Sequence, residues 1–418
     1  MGQRYAKKPN VPNFRMHFYV NCFAVWENCR IFACMKRIAA IDIMRALTML
    51  WMLFVNDIPA LQGVPHWLFH AEATEDMLGF SDLVFPAFLF CVGMSIPFAI
   101  DSRLKRGASM GATIGHVLLR SLALIVMGLF LLNRHKGEEG IDSNYMLMMS
   151  VAGFFLIWTD YPSKHQRLFR LMRYAGIGLL AGLLLYCDIQ GHPFETGWWG
   201  ILGLIGWTYL VCTLAYLMVR SWKVKTWMMW LLFVMLCVLN HSSLIPEDYF
   251  SRVVILPFVP GGWTHHAIGF SGVVASLILR RLTANDRHWQ LVGVYAVMGL
   301  VALGLGIVSH HWWIISKIQA TPTWLFFSLT VNYWLLAVVF CLSDIFGKKR
   351  WFELIAPAGY ATLTCYLIPY IWYPLRELFG ISIPGWYGLT GVLISLVYAL
   401  LVIQITRLLV SLGVKVKL

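Results

Sequence analysis

Twelve apolar runs, separated by short charged clusters, recur along this chain, and each is long enough or nearly long enough to cross hydrocarbon. They fall near residues 40–56, 82–100, 113–133, 145–159, 174–187, 198–219, 226–240, 265–280, 290–308, 323–343, 356–375 and 386–410. A chain of 418 residues that is 59% hydrophobic and 13% charged has too little polar surface to cover such helices in water. The expected fold is therefore an all-α polytopic membrane protein, a bundle of about 11–12 transmembrane helices. The runs at 145–159, 174–187 and 226–240 are short, which predicts little tilt or spans that stop partway. No internal repeat is visible.

The net charge of +13 does not point to nucleic acid, because the basic residues lie in short clusters between apolar runs and not on one face or in a tail. One set of alternate loops carries Arg103, Lys105 and Arg106; Lys164, Arg167, Arg170 and Arg173; Arg220, Lys223 and Lys225; Arg280, Arg281 and Arg287; and Lys348, Lys349 and Arg350. The other set has only Arg134, Lys136, Arg252, Lys317 and Arg376. The positive-inside rule then predicts both termini and the richer set in the cytoplasm. Most of the histidines, among them His66, His70, His265, His266, His310 and His311, fall on the opposite side.

Residues 1–34 contain no run long enough to span, whereas Met35 opens a short basic flank followed at once by the first apolar helix. Two readings stand open: an extension upstream of a true start at Met35, or a loose cytosolic or interfacial segment. The expected domain organisation is this extension followed by one transmembrane domain over 35–418.

The polar residues that interrupt the apolar runs mark where chemistry can sit. Asp42 and Arg45 are three apart on one helical face and can shield each other from lipid. Asn56 lies a further 14 residues past Asp42, about 21 Å at helical rise, so one helix offers polar groups at both membrane surfaces. An acidic loop free of lysine and arginine follows, with His66, His70, Glu72, Glu75 and Asp76. Asp82 then opens the next helix, where its most economical structural role is to satisfy free backbone amides. Pro86 and Pro97 interrupt that helix and Gly93 permits close backbone approach, as in a helix that lines a cavity. The pairs His265–His266 and His310–His311 lack the i, i+4 spacing that puts two imidazoles on one helical face, so no metal site is expected, and anchoring among interfacial tryptophans accounts for them better. The cysteines show no CxxC spacing; Cys91, Cys212, Cys237, Cys341 and Cys365 lie in apolar runs and read as small packing residues.

The run RIAAIDIMRALTMLWMLFVN, then His70-Ala71 and SDLVFPAFLFCVGMSIPFAI, resembles the membrane acetyltransferases related to heparan-α-glucosaminide N-acetyltransferase, including bacterial relatives with a domain of unassigned function. Asp42, Arg45, Val55, Asn56, His70, Asp82, Leu83, Val84, Phe85, Pro86, Phe88, Phe90 and Gly93 carry the match, over roughly the first 70 residues after Met35. Weaker echoes follow in GGWTHHAIGFSGVVASLIL, in KIQATPTWLFFSLTVNYWLLAVVFCLSD and in GYATLTCY. Ala46 stands where the family has glycine, Ala361 where it often has asparagine, and the family's Q-R segment has no counterpart near residues 140–160.

The resemblance implies an acetyltransferase that takes the acetyl group of cytoplasmic acetyl-CoA to an amino sugar, glucosamine in type, across the membrane. His70 matches the catalytic histidine. Asp82 is its expected carboxylate partner, Asn56 the expected donor to the acetyl carbonyl, and Arg45 with Asp42 the expected cofactor contacts. Imidazole attack on the thioester and deprotonation of a bound acceptor both remain open. O-acylation of envelope polysaccharide and secondary transport are the competing functions. The expected setting is a bacterial inner membrane with its lipid as neighbour. Trp67, Trp198, Trp199 and Trp263 are candidates to stack on sugar, or to anchor at the interface. A homodimer stands open.

Overall fold

A computed structural model of the chain describes residues 38–133, 141–162, 166–220, 223–242, 262–383 and 386–418. The readings made for residues 1–34 lie outside them. Among the described residues the helices are α1 (Ala39–Asp57), α2 (Phe80–Lys105), α3 (Met110–Leu132), α4 (Ile141–Trp158), α5 (Gln166–Ile189), α6 (Gly200–Val219) and α7 (Lys223–Asn240). There follow α8 (Thr264–Thr283), α9 (His288–Ser309), α10 (Pro322–Phe340, prolonged by a π turn to Ile345), the short α11 (Ala356–Tyr360), α12 (Thr362–Leu367) and α13 (Pro369–Leu378), and α14 (Gly388–Ser411). Each of the twelve apolar runs coincides with helix, and the eleventh is broken into three pieces at Ala361 and Ile368.

Eight of these helices are long and apolar enough to cross a membrane: α1, α2, α3, α5, α6, α9, α10 with its extension, and α14. The protein is an all-α, multi-pass membrane protein. The run near 174–187 proves long, because its helix starts at Gln166, whereas α4 and α7 stay short. Helix α8 has the length but opens with Thr264-His265-His266 and closes with Arg280-Arg281. It is buried along most of its length, Thr264, His265 and His266 included, whereas Arg281 at its far end is exposed. The outer helices show the converse: α5 exposes Leu171, Leu185 and Ile189, and α9 exposes Leu300, Val301 and Ile307, as faces toward hydrocarbon must.

Close backbone approach seats α2 on α8. A Cβ on Gly93 would meet the Gly269 carbonyl oxygen at 1.7 Å, and one on Gly272 would meet the Phe90 carbonyl oxygen at 2.0 Å. At the basic end of the same pair, Asp101 accepts a hydrogen bond from Tyr216 of α6 at 3.0 Å and pairs with Arg280 of α8. Five of the described cysteines are buried and all six are free, in keeping with a packing role. His265 and His266 are buried as well: His265 packs edge-on against Phe85 and Trp324, and His266 lies against Trp263 and Phe233.

The two prolines do not break α2, which is continuous from Phe80 to Lys105. Pro86 has no N–H to give the carbonyl four residues back, that of Asp82. The indole of the fully buried Trp324, in α10, donates to that oxygen instead, at 3.2 Å. A proline in one helix thus fixes an aromatic side chain of another. Trp324→Phe is expected to lower stability by about 1–3 kcal/mol by orphaning this carbonyl, measured as a drop in the thermal midpoint in detergent. In a Pro86→Ala background, where residue 86 regains its N–H, the loss should shrink; an equal loss in both backgrounds would assign the effect to packing alone.

Candidate active site

Asp82 occupies the third position of α2, whose N-cap is Gly79. Side chains there lean back over the helix start, and the Asp82 carboxylate reaches past its own amides to the preceding loop. Its Oδ2 accepts from the Ala71 N–H at 3.0 Å and its Oδ1 lies 2.8 Å from His70 Nδ1. The expected capping of α2 is therefore not what the carboxylate does. Ser81 secures the same loop by donating to the Leu68 carbonyl at 2.7 Å. Gly79 lets it approach, since a Cβ there would meet the Phe69 carbonyl oxygen at 2.1 Å.

The His70–Asp82 pair is asymmetric in burial: 40% of the imidazole side chain is exposed but only 2% of the carboxylate. Holding Nδ1 against Asp82 leaves Nε2 as the nitrogen open to a reactant. A third group completes the cluster. Lys317, in the loop before α10, places Nζ 3.3 Å from Asp82 Oδ1 and 2.8 Å from His70 Nδ1. Burial drives the Lys317 amine below its ordinary value, and the Asp82 charge opposes that drop. The sequence offered one sign of Lys317: it is a rare cation on the side poor in lysine and arginine, inside the KIQATPTW echo.

A network of loop contacts carries Lys317 to the histidine. Asp76 accepts from the Ile315 N–H at 2.8 Å and pairs with His310 at 2.8 Å. Ser316 Oγ and Gln319 Nε2 both donate to the Ala73 carbonyl, at 3.0 and 2.8 Å. Within the His70 loop, His66 pairs with Glu75 at 2.7 Å, while the Glu72 N–H donates to the same carboxylate at 3.1 Å. His310 is thus a loop tie, and among the described residues no group of His, Cys, Asp and Glu could hold a metal ion.

Asn56 lies in the last turn of α1, whose Trp51 and Phe54 pack edge-on against Phe80 at the start of α2. That contact brings the Asn56 end of α1 beside the Asp82 end of α2. Asn56 makes no hydrogen bond with His70 or Asp82. Its neighbour Asp57, which sequence reasoning passed over, is buried and accepts from the Tyr373 hydroxyl at 3.2 Å. No pattern flagged it, because Tyr373 is over 300 residues distant in the chain. Among the four candidate tryptophans, Trp67 and Trp198 are exposed, Trp199 packs on Trp207 and Trp263 on Phe233.

At the other end of α1, Arg45 lies 3.5 Å from Asp42, donates to the Gly359 carbonyl at 3.2 Å and to Ser95 at 2.7 Å. It lines a cavity of about 400 Å³ that reaches up α1 to Met52. Arg120, Tyr209, Lys415 and Lys417 also line it, with Phe88, Leu124 and Ile205 as apolar wall. Met52 is one turn short of Asn56, about 6 Å at helical rise. Ala46 and Ala361, two departures from the family pattern, are both buried where α11 crosses α1 and a Cβ on Gly359 would approach the Asp42 carbonyl to 2.9 Å.

Fold and site together define a multi-pass helical membrane protein with a histidine, backed by a buried carboxylate, at one end of its central helices and a cation-lined cavity at the other. Residues 37–133, which hold α1, the His70 loop, α2 and α3, match the family model described as heparan-alpha-glucosaminide N-acetyltransferase, catalytic. The chain is 34% identical over 110 residues to human (Homo sapiens) heparan-alpha-glucosaminide N-acetyltransferase, a stretch that is 26% of this chain and 15% of that protein. It is 35% identical over 98 residues to the Mus musculus protein of the same name, 23% of this chain and 14% of that one. The resemblance read from the sequence is borne out over this segment, and the chain matches only about a seventh of the length of these relatives.

Asp76 tests the docking of the two loops. The Ile315 N–H, then the His310 contact, hold its carboxyl below the ordinary value of 3.8. A depressed folded value means that its contribution is complete above the unfolded value and is lost as pH falls through the folded one. Asp76→Asn is expected to speed amide hydrogen exchange at Ile315 near neutrality, with wild type and variant converging well below pH 3.8. Equal exchange at pH 7 would show that the carboxylate does not hold the loop.

Proposed function

We propose that the protein is an acetyltransferase that moves the acetyl group of acetyl-CoA to the amino group of a glucosamine-type sugar. The observation that carries this reading is the His70–Asp82 pair, buried on the carboxylate side and partly exposed on the imidazole side, inside the segment that matches the acetyltransferase family. Acetyl-CoA needs a polar mouth for its phosphates and an apolar throat for its pantetheine arm. The Arg45 cavity, lined by Arg45, Arg120, Lys415 and Lys417 and by the apolar Phe88, Leu124 and Ile205, suits both. The positive-inside pattern supports donor entry from the cytoplasm and an acceptor on the far side, with both termini cytoplasmic. A bacterial inner membrane is the proposed setting.

In this reading the thioester C–S bond breaks and a C–N bond to the sugar forms. The acceptor ammonium must lose a proton to become a nucleophile, and CoA leaves as a thiolate that takes one up. His70 Nε2 supplies the base, either to the acceptor directly or after carrying the acetyl group itself; both routes need Nδ1–H held by Asp82 so that Nε2 keeps its lone pair. Developing negative charge on the acetyl oxygen calls for a donor, the role assigned to Asn56 at the end of α1. Arg45, paired with Asp42, takes a donor phosphate at the other end.

Transfer of label from radiolabelled acetyl-CoA to glucosamine, by purified protein in detergent, tests the reading. His70→Ala should lose about 10²–10⁴-fold in rate with its thermal midpoint unchanged, and a fully active variant would remove His70 from the chemistry. Asn56→Ala should lower kcat by about two orders of magnitude, roughly 3 kcal/mol of lost oxyanion stabilisation. Unchanged turnover would assign that role elsewhere.

A further inference from the structure

Lys317 enters the His70–Asp82 cluster from a loop that is held without it. The Ile315 N–H donates to Asp76 at 2.8 Å, and Ser316 Oγ and Gln319 Nε2 donate to the Ala73 carbonyl at 3.0 and 2.8 Å. On the other side the Gln319 carbonyl lies 3.0 Å from His241 Nε2, the Trp313 indole donates to the His241 carbonyl at 2.8 Å, and Thr264 donates to the Ala320 carbonyl. The loop is thus tied to the His70 loop, to the end of α7 and to the start of α8 with no use of the Lys317 side chain.

The acids of the His70 loop do not account for the lysine either. Glu75 takes His66 and the Glu72 N–H, Asp76 takes His310 and the Ile315 N–H, and Glu72 is exposed. From α8, His265 faces the Phe85 and Trp324 rings. The Lys317 amine instead lies 3.3 Å from Asp82 Oδ1 and 2.8 Å from His70 Nδ1, with 23% of its side chain exposed.

What a cation does at that point follows from charge. A carboxylate 2.8 Å from an imidazole favours a second proton on the ring, as in an ion pair. A ring with two protons has no lone pair and is neither base nor nucleophile. Asp82 by itself would therefore orient His70 while drawing it toward the inactive imidazolium. An ammonium beside both groups opposes only the second effect: it cancels the carboxylate charge and repels a second ring proton, while the Oδ1 contact that orients the ring remains. Asp82 in turn opposes the loss of the ammonium proton that burial favours.

We infer that Lys317 is a positioning residue for acetyl transfer, the cation that lets Asp82 orient the imidazole without holding it doubly protonated. The inference rests on the acyl-transfer reading for its consequence, but the charge balance is measurable on the protein alone. It places a group that the reaction needs outside residues 37–133, the segment that the family model matches.

The first arm of the experiment uses no substrate. Diethyl pyrocarbonate acylates a neutral imidazole and not an imidazolium, so the rate of His70 modification against pH, followed by tandem mass spectrometry of its peptide, reads the ring's protonation in the purified full chain in detergent. In Lys317→Met, which keeps the stem and loses the charge, the midpoint of that profile should rise by about one pH unit or more, and Lys317→Arg should restore it. Because Lys317→Met leaves Asp82 without its cation, the comparison is repeated in an Asp82→Asn background, where removing the lysine should again raise the midpoint. An unmoved or lowered midpoint in either background, or an arginine variant that matches the methionine one, overturns the inference. The second arm is label transfer from acetyl-CoA to glucosamine. Here the Lys317→Met deficit should be about tenfold around pH 6 and shrink as pH rises, whereas an equal deficit at every pH would overturn the inference by making the lysine a structural tie. Transfer that depends on His70 with no shift of the midpoint overturns the inference and leaves the acyl-transfer reading standing. A shifted midpoint with no transfer to any amino sugar overturns that reading and supports the charge balance.

Discussion

A carboxylate with 2% of its side chain exposed, at the edge of an apolar bundle, has to be fully paired or it cannot stay charged. Asp82 meets that requirement entirely from outside its own helix: the Ala71 N–H, His70 and Lys317 surround it. His70 and Ala71 sit in one loop and Lys317 in another, so one charge sets the placement of two loops. The His70 loop must fold back over the start of α2, which is why glycine stands at residue 79 and why Ser81 grips the Leu68 carbonyl. The loop before α10 must close over both, through Asp76 and Ser316. Even the Asp82 carbonyl, released by Pro86, is engaged by Trp324 of the same α10. Remove the carboxylate and the two loops lose the group on which they converge.

Much of this architecture was legible from the sequence because hydrocarbon leaves few options. A run of some twenty apolar residues in a chain with so little charge has to be helix, and each run is one. The errors fall where tertiary partners override local rules. Asp82 looked like a cap because a carboxylate near a helix start usually is one, but the loop amide of Ala71 and the imidazole lie closer to where a third-position side chain points. The proline-punctuated α2 looked broken, yet an indole from another helix repairs its hydrogen bonding. The burial of His265 and His266 was not legible either, because the aromatic rings they meet belong partly to distant helices.

The site itself divides the same way. His70, Asp82 and Asn56 could be found in order along one stretch, as could Asp42 and Arg45, and the structure joins the first two and the last two directly. Lys317 and Asp57 were not found. Their partners lie roughly 235 to 316 residues away, and no spacing rule reaches so far.

Lys317 changes what the histidine can do, and the reason is valence. Nδ1 of an imidazole is either a donor or an acceptor, and here it has two neighbours at 2.8 Å, the Asp82 oxygen and the Lys317 amine. When Lys317 as an ammonium donates to Nδ1, the ring proton resides on Nε2 and the open edge of His70 has no lone pair. When that ammonium turns to Asp82, 3.3 Å away, or gives up its proton, Nδ1–H is free to donate to the carboxylate and Nε2 becomes basic. Burial lowers the Lys317 amine below its ordinary value, while the Asp82 charge opposes that drop. In the proposed acetyl transfer the acceptor ammonium requires the second state, because it needs that lone pair to lose its proton.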